Sequence, residues 1–434
     1  MSLDWKASRG RPIIGVIDVP GDKSISHRAL MLAAIADGSS KITGFLEGED
    51  TRATARILQQ LGVSIETPVP GQRLVHGVGL HGLKGVDSDL DCGNAGTGMR
   101  LLAGLLAGQS FPSRLVGDAS LSRRPMGRIT TPLAQMGARL ETQQGGLPPI
   151  TIHVSNGLQG IDYECPVASA QVKSATLLAG LYAKGDTSVL EPQPTRDYTE
   201  RMLAAFGYPV MFKPGFASLR GGGNLRATNV SVPSDFSSAA FFLVAATVVP
   251  GSDLLIRRVG MNPRRTGLLA ALRLMGADIS EEATGEQGGE PVADLRIRYA
   301  PLCGITLPKQ LVPDMIDEFP ALFVAAAFAS GVTRIAGVAE LRVKESDRLA
   351  VMSSALMTLG CRLEESPDGA LIEGGTLHGG RVDSHGDHRI AMSLAIAGQL
   401  ALGDVEILDC ANVDTSFPGF LKTASGCGFS ICEV

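Results

Sequence analysis

The 434-residue chain has no CxxC pair, no long apolar run and no surplus of basic residues, and each absence removes a class of function. Its seven cysteines, Cys92, Cys165, Cys303, Cys361, Cys410, Cys427 and Cys432, are odd in number and scattered. That argues against structural disulfides and a zinc site, and fits a reducing cytosol. The apolar run Phe241 to Val249 stops at Pro250 and Gly251, well short of a membrane span, and the opening MSLDWKASRGRPIIG lacks an apolar h-region. A soluble, cytoplasmic protein that does not engage a membrane is therefore expected. The formal net charge of −5 and a pI near 5.9 speak against nucleic acid as a partner. Neither GxxxxGK[ST] nor GxSxG occurs, and no cysteine stands out as a nucleophile. GVGLHG, Gly77 to Gly82, matches GxGxxG but runs into LKGVDSDLDCGN rather than a helix, so it is no dinucleotide loop.

What is present is apolar and repetitive. With 44% apolar and 19% charged residues, the chain can bury a large core and has the length of two domains. One unit recurs about six times at a period of roughly 70 residues. Each copy opens on a small or polar residue before an Ala/Leu-rich helix: KSISHRALMLAAIADG, NAGTGMRLLAGLLAGQ, SAQVKSATLLAGLYAKG, SDFSSAAFFLVAATVVPG, DEFPALFVAAAFASG and DHRIAMSLAIAGQLALG. A short strand follows, then an amphipathic helix closing on an apolar residue and Gly, as in LQQLG, LAQMG, LAAFG, LRLMG and LMTLG. The sixth closing segment, NVDTSFPGFLKTASG, is more degenerate. The pattern predicts a duplicated α/β unit in two groups of three, with buried helices inside and sheets outside. Helices repeated with their N-termini aimed one way would sum their unpaired N–H groups and partial charges into an anion trap. Ser24, Asn94, Ser169 and Ser234 stand at or beside those starts, as caps or as caps that also touch a ligand.

Cations gather in short polar strings, and an acidic protein that does this can focus a positive field on a small anion. PGDKSISHRAL places Lys23, Ser24 and Arg28 around one first helical turn. GDASLSRRPMGRI gives Arg123 and Arg124 before Pro125, with the proline read as the start of the next helix. In ELRVKESDRL, Lys344 and Arg348 would share a helical face, either within a surface network with Arg342, Glu345 and Asp347 or as ligand groups. HGDHRIAM sets Arg389 at the start of an apolar helix; a metal at His385 and His388 lacks a further ligand cluster. VPDMIDEFPALF puts Asp314, Asp317 and Glu318 before a buried helix, with Pro320 near its N1 position. These carboxylates are either dipole caps or a base kept ionised by nearby cations.

In order and approximate spacing, GDKSISHRA, GNAGTGMR, RRPM, SAQVK, DEFP, RVKESDRL and DHRIAM resemble the EPSP synthases of the enolpyruvyl transferase family, from about Pro20 to Phe420. The resemblance implies an α/β fold, a two-domain inside-out α/β barrel with three copies of the unit per domain. Residues 1–21 plus 235–434 would form one discontinuous domain and 22–234 the inserted one, with chain crossings near Gly21 and Ser234. It implies transfer of the enolpyruvyl group of phosphoenolpyruvate to the 5-hydroxyl of shikimate 3-phosphate, in the shikimate pathway to aromatic amino acids. The implied enzyme is a monomer needing no metal, nucleotide or organic cofactor.

By matching motifs, Lys23 would touch both substrates. Ser24, Arg28, Ser169, Ala170, Gln171 and Arg196, with Asp317 and Lys344, would hold shikimate 3-phosphate; Gly96, Arg124, Gln171, Arg348 and Arg389 would hold phosphoenolpyruvate. Asp317 resembles the proton acceptor and Glu345 the acid, with Lys344 the alternative donor, completing a catalytic set with Lys23. Glu340 and Thr415 replace the Asn and Lys of a better-known branch and fit the SAQxK-containing subgroup. Gly96, with Leu101 where many relatives have Pro, implies sensitivity to the inhibitor glyphosate. The sister enzyme acting on UDP-N-acetylglucosamine lacks KSxSxR and carries Cys or Asp in a loop that here reads GDASLSRRPM. A non-catalytic phosphosugar-binding relative would not need Asp317, Glu345, Lys23 and Arg124 together.

The implied chemistry needs these residue types. Two multiply charged anions held side by side require cations, Arg for bidentate pairing and Lys23 as a shared point charge. One carboxylate must take the 5-hydroxyl proton while another group protonates the methylene carbon. Two domains on a thin hinge would close on the first ligand to exclude water.

Overall fold

The computed structural model describes residues 3–434. Two compact units emerge: a discontinuous one, Met1–Pro20 with Pro233–Glu286 and Pro291–Val434, and an inserted one, Gly21–Val232 with Gln287–Glu290. The grouping of the hairpin tip Gln287–Glu290 with the inserted unit has no counterpart in any sequence pattern.

Two helices per copy follow from the apolar patterning. The inserted unit contains α1 (Lys23–Ala34), α2 (Glu49–Gln60), α3 (Gly96–Ala107), α4 (Gly127–Gln135), α5 (Ala170–Gly180) and α6 (Tyr198–Ala205). The discontinuous unit contains α7 (Phe236–Val248), α8 (Gly267–Leu274), α9 (Phe319–Ala327), α10 (Arg348–Thr358), α11 (His388–Gly398) and α12 (Phe420–Cys427). Every residue of α7 and of α9 is buried, as a helix apolar all round requires. The even-numbered helices are two-sided: α2 buries Ala53, Ile57 and Leu58 and exposes Arg52 and Arg56. Their shared ending has one cause. Gly62, Gly137, Gly207, Gly276 and Gly360 all have φ between +75° and +99°, where a side chain is strained. At the first of these, Gly62 N–H donates to Gln59 O and Val63 N–H to Leu58 O, which satisfies the last carbonyls of the helix. The degenerate sixth copy makes the same pair of bonds, Gly428 to Ser425 O and Phe429 to Ala424 O.

Each copy contributes one sheet, three per unit. In the first, Asp37–Thr43 pairs antiparallel with Gln72–Val78, which pairs with Ser64–Glu66, while Val230–Ser231 lies parallel along the other edge. The strand that closes a copy can come from far along the chain. In the discontinuous unit, Trp5–Ser8 sits between Leu402–Leu408 and Ser430–Glu433, and Ile14–Ile17 forms the parallel edge of Asp253–Gly260. The start of the chain therefore completes two sheets built from its second half.

Inside each unit the odd-numbered helices touch one another: α3 lies against α1 and α5, and α7, α9 and α11 contact pairwise. Close approach needs glycine. A Cβ on Gly104 of α3 would stand 2.2 Å from Ala175 O of α5, and one on Gly398 of α11 would stand 2.5 Å from Ala7 Cβ.

Two substitutions separate packing from helix propensity. Gly104→Ala gains about 1 kcal/mol of propensity but must push α3 and α5 away from each other, at a cost of about 3 kcal/mol. A net loss of about 2 kcal/mol in urea unfolding is expected. Gly127→Ala, at the start of α4 with nothing within 4 Å of the new Cβ, should be neutral or stabilise by up to about 1 kcal/mol.

Candidate functional site

In the inserted unit, polar and charged side chains gather at the starts of α1, α3 and α5. Asp22, not Ser24, caps α1: its Oδ1 accepts from Ile25 N at 2.8 Å, and Ser24 lies inside the first turn. Lys23 Nζ pairs with Asp50 Oδ2 of α2 at 2.9 Å. Burial and the charges of Lys23 and Arg28 lower the pKa of His27 to about 3, so this imidazole is neutral, with Nδ1 2.8 Å from Thr54 Oγ1. Arg28 is buried and bonds Thr199 Oγ1 at 2.8 Å, Ser174 Oγ at 2.8 Å and Ser24 O at 3.0 Å. Burial, and then the neighbouring charge of Arg196, lower its pKa to about 10 against the pull of Glu200 and Asp22.

The start of α3 is built differently. Its N-cap residue is Ala95 rather than Asn94, and no side chain bonds its first amides. Asn94 instead accepts from Arg124 Nη2 at 2.7 Å and donates to Asp118 Oδ2 at 2.8 Å. Arg124 also donates to Ser120 Oγ at 3.1 Å. Pro125 falls outside α4, which begins at Gly127, so Arg124 sits in the turn before that helix. A Cβ on Gly96 would lie 3.1 Å from Arg100 Nη1 and 3.2 Å from Arg124 Nη1, which makes Gly96 a floor beside two guanidiniums. Arg100 escaped the sequence analysis, although it stands one turn after Gly96. Ser169 does cap α5, accepting from Val172 N at 3.4 Å, and Gln171 Nε2 donates to Thr97 Oγ1 at 2.9 Å, joining the starts of α5 and α3.

In the discontinuous unit the starts of α7, α9 and α11 are wired together. Ser237 of α7 donates to Glu318 Oε1, the residue before α9, and Arg389 Nη1 of α11 lies 3.7 Å from the same oxygen. Asp235, not Ser234, caps α7. Asp317 accepts from Arg265 Nη1 at 3.1 Å, its other carboxylate oxygen is 3.6 Å from Arg348 Nη1, and its carbonyl accepts from Arg389 Nη1 at 3.1 Å. Arg348 also bonds Asp387 Oδ2 at 2.8 Å and Glu345 Oε2 at 2.6 Å. Asp387 in turn caps α11 through Arg389 N at 2.9 Å.

Lys344 and Arg348 do not share a helical face. Lys344 follows the short 3-10 segment Ala339–Val343, and α10 starts at Arg348 because Asp347 caps it through Ala350 N at 3.0 Å. The partly buried Lys344 ammonium has its pKa lowered by burial; Asp317 opposes this, Arg348 adds to it, and Glu340 and Glu345 oppose it. Arg265, which bonds Asp317 and Ser237 and lies 3.4 Å from Glu318, was not foreseen, although NPRRTG flanks a helix start with two cations. His385 spends its backbone N–H on Asp383 Oδ1. Among the described residues, no three His, Cys, Asp or Glu side chains are placed to hold a metal, and no helix is long and apolar enough to cross a membrane.

The two clusters differ in charge. In the discontinuous unit Asp235, Asp317, Glu318, Glu345 and Asp387 neutralise Arg265, Arg348 and Arg389. The start of α3 has no side-chain cap. The EPSP synthase (3-phosphoshikimate 1-carboxyvinyltransferase) family profile matches residues 8–423. The chain belongs to the EPSP synthase family. It is 67% identical over 427 residues to the 3-phosphoshikimate 1-carboxyvinyltransferase of Xanthomonas campestris pv. campestris strain B100, covering 98% of each chain. The same identity and 97% of the relative's length hold for that of Xanthomonas euvesicatoria pv. vesicatoria strain 85-10. An EPSP synthase structure from Acinetobacter baumannii superposes with a TM-score of 0.90 at 50% identity, covering 100% of both chains. The inside-out α/β fold expected of this family is the fold seen here.

Removing one member of a buried ion pair leaves its partner uncompensated. Arg348 and Asp387 have side chains only 1% and 0% exposed, so Asp387→Ala should lose about 3 kcal/mol of stability. A lowered urea midpoint with an unchanged slope is the expected reading.

Proposed function

We propose that this EPSP synthase family member transfers the enolpyruvyl group of phosphoenolpyruvate to the 5-hydroxyl of shikimate 3-phosphate, releasing phosphate through a tetrahedral adduct. The observation that carries this reading is the Asp317 carboxylate, bonded by Arg265, 3.6 Å from Arg348 and beside the Lys344 charge. A proton acceptor must be an ionised carboxylate held in place, and Asp317 is bonded as one. Asp317 takes the hydroxyl proton, and Glu345 delivers a proton to the methylene carbon, with Lys344 as the alternative donor.

Lys23, Ser24, Arg28, Ser169, Ala170, Gln171 and Arg196, with Asp317 and Lys344, are the shikimate 3-phosphate contacts in this reading. Lys23, Gly96, Arg124, Gln171, Arg348 and Arg389 are the phosphoenolpyruvate contacts. The start of α3, with no side-chain cap and Arg124 beside Gly96, supports the second set, because helix starts favour an anion. Glyphosate, itself anionic, competes at these residues. The enzyme works as a cytoplasmic monomer.

Phosphate release from phosphoenolpyruvate should require shikimate 3-phosphate and should not occur with UDP-N-acetylglucosamine. Asp317→Ala should lower kcat by about 10²- to 10⁴-fold. Turnover with the nucleotide sugar, or wild-type rates in the variant, would overturn the assignment.

Gly96→Ala places a methyl 3.1 to 3.2 Å from two guanidiniums. Displacing one charge-assisted contact should raise KM for phosphoenolpyruvate about tenfold, with glyphosate inhibition weakened at least as much. KM for shikimate 3-phosphate should stay within about twofold, since the methyl faces neither Arg28 nor Arg196.

A further inference from the structure

The inserted unit buries an ion cluster that no catalytic step uses. Lys173 of α5 has Nζ 2.8 Å from Glu191 Oε2 and 2.9 Å from Glu200 Oε1. The three residues are 2%, 5% and 1% exposed. Taking such groups out of water costs several kcal/mol per ion, and packed apolar side chains often serve stability as well or better. Burial acts to discharge Lys173, but Glu200 and Glu191 outweigh it and hold the ammonium.

The cluster's neighbours along the chain are the groups assigned to the phosphate. Glu191 follows the strand Asp186–Leu190, and Glu200 lies in the first turn of α6; Arg196 is in the loop between them. The Glu191 carboxylate grips that loop one residue before Arg196, accepting from Thr195 N at 3.3 Å and from Thr195 Oγ1. On the other side, Thr199, next to Glu200, and Ser174, next to Lys173, bond each other at 2.7 Å and each accept from Arg28 at 2.8 Å. Residues adjacent to the cluster thus hold the Arg28 guanidinium and the backbone just before Arg196. Arg28 and Arg196 lie close enough for the charge of one to disfavour that of the other.

We propose that Lys173, Glu191 and Glu200 are positioning residues for substrate binding: they hold the Thr195–Arg196 segment against α5 so that Arg196 and Arg28 stand together around a phosphate monoester dianion. This rests on the reading of Arg28 and Arg196 as shikimate 3-phosphate contacts. The cluster touches no substrate in this account and acts only through Thr195, Ser174 and Thr199.

Steady-state kinetics with both substrates, alongside thermal unfolding, test it. Thr195→Val removes the hydroxyl that Glu191 holds, keeps the shape and leaves every buried charge paired. KM for shikimate 3-phosphate should rise about five- to tenfold, with kcat and KM for phosphoenolpyruvate within about twofold and Tm nearly unchanged. Thr195→Ser, which restores the hydroxyl, should return KM to the wild-type value. Glu191→Gln should show the same split, and Thr195→Val carries the test if that variant does not fold. Arg196→Ala is the control. If it raises KM for shikimate 3-phosphate while Thr195→Val and Glu191→Gln alter only Tm, the cluster is merely structural and the positioning role is overturned. If Arg196→Ala leaves that KM unchanged, the phosphate reading of Arg196 fails, and the positioning role falls with it.

Discussion

A helix that is apolar on every side can present polar chemistry only at its ends. That constraint governs both units. The odd-numbered helices are largely buried, and their most exposed polar side chains lie near their starts. The second residue of each such helix shows the result: Ser24, Thr97, Gln171, Ser237 and Arg389 are polar there, and only α9, with Pro320, departs. Because Gly104 and Gly398 let the units pack tightly, the first turns in one unit come within bonding distance. Thr97 meets Gln171, and Ser237, Glu318 and Arg389 share one carboxylate oxygen.

Helix starts attract anions only as far as nothing else has answered them. Aspartate caps Asp22, Asp235 and Asp387 answer three of the six odd-numbered starts internally. Ser169 caps α5 without charge, and no side chain caps α3. The ends left most receptive to a foreign anion are therefore those of α3 and α5, which carry Gly96 and Gln171. The dense cations of the discontinuous unit are paired with carboxylates, which holds Asp317 and Glu345 in place.

Much of this was legible in the sequence, and the features that were not have physical reasons. The repeat showed because a left-handed glycine after each second helix and an Ala/Leu-rich first helix are local demands that recur with the unit. The resemblance placed residues 1–21 with the second half of the chain, but which sheets Trp5–Ser8 and Ile14–Ile17 close did not show, since a strand of four residues has no periodicity to read and its partners lie hundreds of residues away. The caps at Asp22, Asp235 and Asp347 were passed over for nearby serines and cations because a capping geometry shifted by one or two residues looks the same in sequence. That shift broke the expected helical pairing of Lys344 with Arg348. Lys173 and Arg265 were hidden by context: a lysine in an Ala-rich helix reads as a surface residue, and only three-dimensional proximity to Glu191 and Glu200, or to Asp317 and Glu318, reveals its partner.

Pre-paired charges also bear on how an acid could be made ready. Glu345 bonds Arg348 at 2.6 Å, and the same guanidinium contacts Asp317 and Asp387. A guanidinium has a fixed fork of donors, so an incoming carboxylate that takes the Arg348 donor facing Glu345 removes the counter-charge of that side chain. A carboxylate that loses an opposite charge and gains a like one nearby holds a proton more tightly. Under the proposed assignment, phosphoenolpyruvate arriving at Arg348 competes with Glu345 for that guanidinium, which favours the acid role of Glu345. Asp317 keeps its bond to Arg265 on the other oxygen and stays a base. Two carboxylates on one arginine thus take different roles in this assignment, with Arg265 bonding the one that acts as the base.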